Sequence, residues 1–312
     1  MVGVAQLVEP RVVISAVVGS SPIVHPIFRL LRPLALFAGL LLAGAAVAGE
    51  VAPQLFVAGD STASEYKPNP KNQQGWGAVL QPLFDEKKLR VVDVARGGRS
   101  SRTFITEGHW DRMLAEVHAG DFVIILFGHN DSGAVNQEPP GSTKPLRARG
   151  TIPGIGNESE EIDNVVTGQH ETVYSFGWYL RKMIADTRAK GATPILLTLT
   201  KTNNWKDGRI PCDTETYRLW TWQTATTEKT AFIDLTRIIG DRFQREGPAA
   251  VTAQFIDDKV HTNLTGAEAN ARDVVSALRA IKALSLRKMF SASGRAVRAD
   301  RGPPKDSVCP KF

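Results

Sequence analysis

The sequence predicts an α/β protein: a three-layer α/β/α sandwich around a five-stranded parallel sheet. Three observations lead there. Five short runs rich in β-branched residues recur along the chain. Several are apolar throughout instead of alternating, as strands covered on both faces are. Helical patterns separate them, and strands alternating with helices pack most simply as one parallel sheet with helices on both sides.

The strand runs are "QLFVA" (54–58), "LRVVDVA" (89–95), "DFVIILFG" (121–128), "TPILLTLT" (193–200) and "TAFIDL" (230–235). The clearest helical pattern covers Glu171–Lys190. There Val173, Phe176, Leu180, Met183, Ile184 and Thr187 share a face, and Gly191 ends it. Leu264–Ala283 is the last helix expected, with Thr265 as its cap. Ser132–His170 is rich in Pro, Gly, Glu and Arg and has no clear period. A connection that long in a compact domain is either functional or disordered.

The ends divide the chain into an N-terminal extension (1–48), a folded domain (49–285) and a tail (286–312). Arg29 and Arg32 precede an apolar run, Pro33–Ala48, that closes on Ala46-Val47-Ala48. The run is shorter than the ~20 residues a membrane span needs. With its small-x-small ending it reads as a signal peptide, so a secreted or periplasmic protein without stable membrane insertion is expected. The tail is basic and of low complexity, and is read as lacking structure.

The formal charge is +6, which raises the question of nucleic-acid binding. Leu286–Phe312 carries five net positive charges and Met1–Ala48 carries two, which leaves Gly49–Ser285 at minus one. A nearly neutral body offers no basic groove, and no nucleic-acid partner is expected. Two cysteines, Cys212 and Cys309, give no CxxC spacing and no metal site. In an oxidising compartment they could pair, and the sequence leaves that open. The protein is expected to act as a monomer.

In an open α/β sheet, ligands bind at the carboxyl ends of the strands. The first strand ends in Gly59-Asp60-Ser61. The second runs into "RGGRSSRTF" (96–104), the third into "FGHND" (127–131), and "FIDDKVHTN" (255–263) precedes the final helix. A serine hydroxyl becomes a nucleophile when an imidazole takes its proton and a carboxylate orients that imidazole. Asp258 and His261, three residues apart, can present both groups toward Ser61. Each block alone is an ordinary turn, cap or surface pair. Their joint occurrence at successive strand ends is what points to ester cleavage. Gly59-Asp60-Ser61-Thr62-Ala63 lacks the second glycine of GxSxG, which argues against an α/β-hydrolase.

These blocks, together with "GRSSRTFITEGHW", "PGIGNESEE", "GWYLRKMI" and "DDKVHTNLTGA", resemble the SGNH (GDSL-type) hydrolases, rhamnogalacturonan acetylesterase-like group. The resemblance covers nearly the whole chain after residue 48. It implies a flavodoxin-like sheet, Ser61 as nucleophile and Asp258 with His261 completing the triad. It also implies an oxyanion hole from the Ser61 and Gly98 N–H groups and the Asn130 side chain. No cofactor is implied, and an acetylated polysaccharide or oligosaccharide is the expected substrate.

Two other readings compete. A lipid-directed esterase or thioesterase would have an apolar groove, whereas Ser132–His170 is polar. A carbohydrate-binding module without catalysis would lack a triad member, and none is missing. His129 is read as structural or lining, because strand alternation aims it away from Asn130. Trp110 or Trp205 is the tryptophan expected to be exposed near the site, and Arg147 and Arg149 are placed to meet uronate carboxylates.

Overall fold

The structure is a computed structural model that describes residues 52–212 and 215–312. The signal-peptide reading of 1–48 lies outside the described residues. In chain order the strands are β1 (Gln54–Gly59), β2 (Arg90–Asp93), β3 (Phe122–Leu126), β4 (Ser159–Asp163), β5 (His170–Tyr174), β6 (Thr193–Leu197) and β7 (Ala231–Ile233). The helices are α1 (Ser101–Thr106), α2 (His109–Glu116), α3 (Phe176–Ala189), α4 (Glu215–Thr227), α5 (Leu235–Glu246), α6 (Pro248–Thr252), α7 (Leu264–Ala280) and α8 (Ala292–Ala296).

Successive side chains of a strand point to opposite faces, and here that alternation divides the core in two. Leu55, Val57, Ile124 and Leu126 face the layer of α5 and α7. Phe56, Ala58, Val123 and Ile125 face the layer of α1 to α4. Strands β1 and β3 are therefore apolar at consecutive positions. Truncating a side chain such as Phe56 or Ile125 to alanine costs about 2–5 kcal/mol.

The main sheet is wholly parallel, in the order β2-β1-β3-β6-β7. From β1 the chain steps outward to β2 and then returns to the other side of β1 as β3. The helices on the two sides of this reversal cover opposite faces, and the crevice opens at the carboxyl ends of β1 and β3. Gly59 pairs with Leu126, so Ser61 and Asn130 emerge from adjacent strand ends.

Four expectations need correction. Residues 170–174 form a strand, not the first turn of a helix: β5 pairs antiparallel with β4 as a hairpin. Val173 is buried while Glu171, Thr172 and Tyr174 are half-buried, so it is the pairing with β4, and no alternation in the sequence, that makes the segment extended. Helix α3 starts only after Ser175, whose Oγ accepts from the Trp178 N–H at 3.1 Å. The last long helix ends at Ala280, and its cap is Asn263, not Thr265.

The tail is also structured. Leu286 is buried, Phe290 stacks on Phe84 with ring centroids 4.9 Å apart, and α8 follows. Cys309 forms a disulfide with Cys212, 97 residues away in sequence. Polar contacts fix it in place: Arg295 donates to the Phe290 carbonyl at 2.6 Å, and the tail's Asp300 pairs with Arg237 of α5 at 2.6 Å. The folded unit continues to Phe312, past the boundary expected at Ser285.

Candidate active site

Ser61 sits in the turn that follows β1. The buried Asp60 holds this turn, its Oδ1 accepting from the Thr62 N–H and the Thr62 Oγ–H, each at 2.8 Å. Tyr66 adds a bond from its hydroxyl to the Ser61 carbonyl at 2.9 Å. Burial, with Asp60 adding to it, pushes the Tyr66 hydroxyl up to about 12, so it stays a neutral donor. Tyr66 went unpredicted because the Pro- and Asn-rich stretch around it carries no periodic signal.

His261 approaches from the segment between α6 and α7. That segment is closed on itself by the Ile256 N–H to the His261 carbonyl at 3.0 Å. It is tied to the body by the Asn203 N–H to the Lys259 carbonyl and the Gln74 N–H to the Thr262 carbonyl, both at 2.8 Å. His261 Nε2 lies 2.9 Å from Ser61 Oγ, and Nδ1 lies 2.6 Å from Asp258 Oδ2. Asp258 Oδ1 accepts the N–H groups of Val260 and His261 at 2.8 and 2.7 Å. Burial pushes the Asp258 carboxyl up, but the bonds from the His261 ring and from these two N–H groups outweigh it and hold it below the ordinary range. With Nδ1–H on the carboxylate, Nε2 is free to accept the serine proton.

Gly98 takes φ +79°, a conformation glycine adopts without strain, and its carbonyl accepts from Arg149 Nη1 at 3.0 Å. Asn130 Nδ2 donates to the Arg99 carbonyl at 2.8 Å, which uses one of the two amide hydrogens. Among the described residues, the Ser61 and Gly98 N–H groups meet no protein acceptor. Both remain available to a developing oxyanion.

Ser61, Gly98, Asn130 and His261 all line one cleft of about 950 Å³. His129 lines it too, with Nε2 3.0 Å from Thr200 Oγ1. Burial lowers its basicity against the opposing pull of Asp60 and keeps it neutral. The expectation that Trp110 is exposed near the site fails: it is fully buried, and its Nε1 donates to Asp186 at 2.9 Å. Its helix α2 buries one face against the sheet, and the indole lies on that face. Trp205 packs against the core and donates to Asn203 Oδ1 at 2.8 Å, away from the cleft lining.

The segment after Asn130 forms the far wall. The fully buried Arg102 anchors it, donating to the Val135 and Gly150 carbonyls at 2.7 and 2.8 Å and to the Glu171 carboxylate. Next to Asn130, the buried Asp131 accepts the Ser101 N–H at 3.0 Å through Oδ1, while its Oδ2 has no partner among the described residues. Burial pushes this carboxyl up to about 7. This buried scaffold has residue types that sequence reading assigns to surface turns, so nothing in the pattern singled it out.

Comparison with known proteins agrees with this arrangement. Residues 57–269 match the model of the GDSL-like Lipase/Acylhydrolase family. A rhamnogalacturonan acetylesterase of Emericella nidulans is 27% identical over 216 residues, 69% of this chain and 80% of that protein. The probable rhamnogalacturonan acetylesterase YesY of Bacillus subtilis is 30% identical over 234 residues, 73% of this chain and 94% of that one. The crystal structure of Bacillus subtilis YxiM superposes with a TM-score of 0.56 at 27% identity, covering 72% of this chain and 55% of that one.

Proposed function

The chain belongs to the GDSL-like lipase/acylhydrolase family, and from that premise we propose that it is an exported carbohydrate esterase. It removes O-acetyl groups from plant cell-wall polysaccharide, rhamnogalacturonan or xylan, by a Ser-His-Asp mechanism. The observation that carries this reading is the continuous hydrogen-bonded relay Asp258–His261–Ser61 at the floor of an open cleft.

The steps follow from the geometry. Ser61 Oγ attacks the acetyl carbonyl carbon while His261 Nε2 takes its proton. The charge that develops on the carbonyl oxygen is met by the Ser61 and Gly98 N–H groups and the second Asn130 amide hydrogen, each donor worth ~3 kcal/mol. Collapse breaks the ester C–O bond, and His261 returns the proton to the departing sugar hydroxyl. Water then attacks the acetyl-serine with His261 again as base, and acetate leaves. Asp258 stabilises the imidazolium throughout and holds the tautomer.

A sugar substrate is supported over a lipid by the cleft wall, where Gln73, Ser132, Gln137, Lys144, Arg147 and Arg149 face the opening. Export is supported by the Cys212–Cys309 disulfide, a bond that persists in oxidising compartments. The test compares aryl acetate with aryl octanoate and then measures acetate freed from acetylated rhamnogalacturonan and acetylated xylan. Preference for octanoate with no acetate released from either polymer would replace this reading with a lipid esterase.

A further inference from the structure

Part of the positive charge carried by the C-terminal segment converges on one cavity. Arg279 in the last turn of α7, Arg287 in the helical turn Ser285–Lys288 and Arg295 in the last turn of α8 line it, together with Phe290 and Ala299. Its volume is about 440 Å³. It shares no residue with the catalytic cleft. The lining lies wholly after residue 269, outside the part of the chain matched to the family.

The segment that carries two of these arginines is fixed to the body of the protein. Phe290 is buried against Phe84, and the Ser291 and Ser293 hydroxyls both donate to the Pro82 carbonyl, at 2.8 and 2.9 Å. Gly294 packs so closely that a methyl group built on it would overlap the Leu83 carbonyl. Backbone carbonyls also steer two of the guanidiniums. Arg279 Nη1 donates to the Gly294 carbonyl at 3.2 Å, and Arg295 Nη1 to the Phe290 carbonyl at 2.6 Å. A site held in this way loses little conformational freedom when a ligand arrives.

What the three arginines lack is a counter-charge. None forms an ion pair among the described residues, and the Arg287 side chain forms no hydrogen bond there either. Arg279 and Arg295 each use one of the five donors a guanidinium offers. The buried Arg279 Nε has no partner among the described residues. A helix end explains a single cation, because the last carbonyls of the helix attract it. It does not explain three cations on one cavity, where like charges repel unless an anion lies among them.

We infer that Arg279, Arg287 and Arg295 form a binding site for a phosphate group, taken up as the free ion or as a phosphate monoester. Guanidiniums match phosphate oxygens in geometry and charge, and several together offset a dianion. The cavity has the size of a small-molecule site, which leaves room for an organic group on the phosphate. The inference is independent of the esterase reading.

The experiment is isothermal titration calorimetry of the full chain with inorganic phosphate, with glucose 1-phosphate and with trigalacturonate, at matched ionic strength. Both phosphates should bind, and added salt should weaken them. Arg287→Gln and Arg295→Gln should each weaken phosphate roughly tenfold, and the double variant should lose saturable binding. Arg287 is exposed and unbonded among the described residues, so its replacement leaves the fold intact. The unfolding midpoint of Arg287→Gln should match that of the wild type without phosphate and rise less with it. Tighter binding of glucose 1-phosphate assigns the site to the ester, and equal binding assigns it to the free ion; either result upholds it. No saturable binding of either phosphate by the wild type, affinity that survives the double variant, or trigalacturonate bound more tightly than both phosphates overturns it.

Discussion

His261 Nε2 stands 2.9 Å from Ser61 Oγ across 200 residues of intervening chain. The contact joins the end of β1 to the segment ahead of α7, and nothing local imposes it. It holds because Gln74 and Asn203 bond the residues flanking His261 at Thr262 and Lys259. The reactive pair is thus positioned by backbone hydrogen bonds and does not depend on two side chains finding each other.

Ser61→Ala is expected to abolish acetate release and leave the fold intact. The serine gives up one hydrogen bond, and its turn is held independently by Asp60 and Tyr66. Circular dichroism and thermal unfolding beside an aryl acetate assay check this. A variant that keeps more than a few per cent of activity would remove Ser61 from the chemistry.

His261→Ala should be as severe as Ser61→Ala, and Asp258→Asn milder, because the base survives while its orientation weakens. Asp257→Asn should be close to neutral, since of the two neighbouring aspartates it is Asp258 that bonds the imidazole. Asp258 is held below the ordinary carboxylate range, so a pH–rate profile should show no loss of activity from its protonation until the pH falls below that range.

Asn130→Ala should lower kcat by about 100-fold or more, with a smaller change in KM. The carbonyl of Arg99 loses its donor in this variant, so some loosening of the glycine loop accompanies the effect. A change confined to KM would make Asn130 a substrate contact and take it out of the oxyanion hole.

Cys212→Ser should destabilise the protein by about 2–4 kcal/mol, because the disulfide closes a long loop. Chemical unfolding with and without reductant measures it. The wild type in reductant should match the variant.

Burial raises Asp131 to about 7 and Asp93 likewise to about 7. A carboxyl raised on folding is favoured in its protonated form. Its contribution is present below the unfolded value near 3.8 and is lost as pH rises through about 7. Stability should therefore decline between pH 4 and pH 8. Asp93→Asn should flatten that decline by on the order of 4 kcal/mol, read from urea unfolding at several pH values. An unchanged slope would mean that Asp93 keeps its charge in the folded state.

The sheet was legible because buried parallel strands such as β1 and β3 write themselves as unbroken apolar runs, and all five strand runs read from the sequence became strands of the main sheet. Ser61 and Asn130 were pointed to by the blocks at the ends of β1 and β3, and the roles of Gly98, Asp258 and His261 came from the family resemblance, since Asp258 and His261 lie between α6 and α7 and leave no strand end. Other features depended on distant partners. Glu171–Tyr174 reads equally as a helix start or a strand until its pairing with β4 is known. Composition made the tail look unstructured, but its Asp300 and Cys309 are held by partners on remote elements, Arg237 and Cys212. The buried Arg102–Glu171 pair joins residues 69 apart, and no spacing rule reaches that far.

The chain departs from the sheet after β3 and, before α3 begins, closes a loop in which Ile152 bridges to Ser175. Everything between these points lies outside the sheet, yet it supplies one whole wall of the cleft. Such an excursion behaves as an exchangeable cassette. Its length and composition can drift through insertions and replacements while Ser61, Asp258 and His261, borne on other segments, keep their positions.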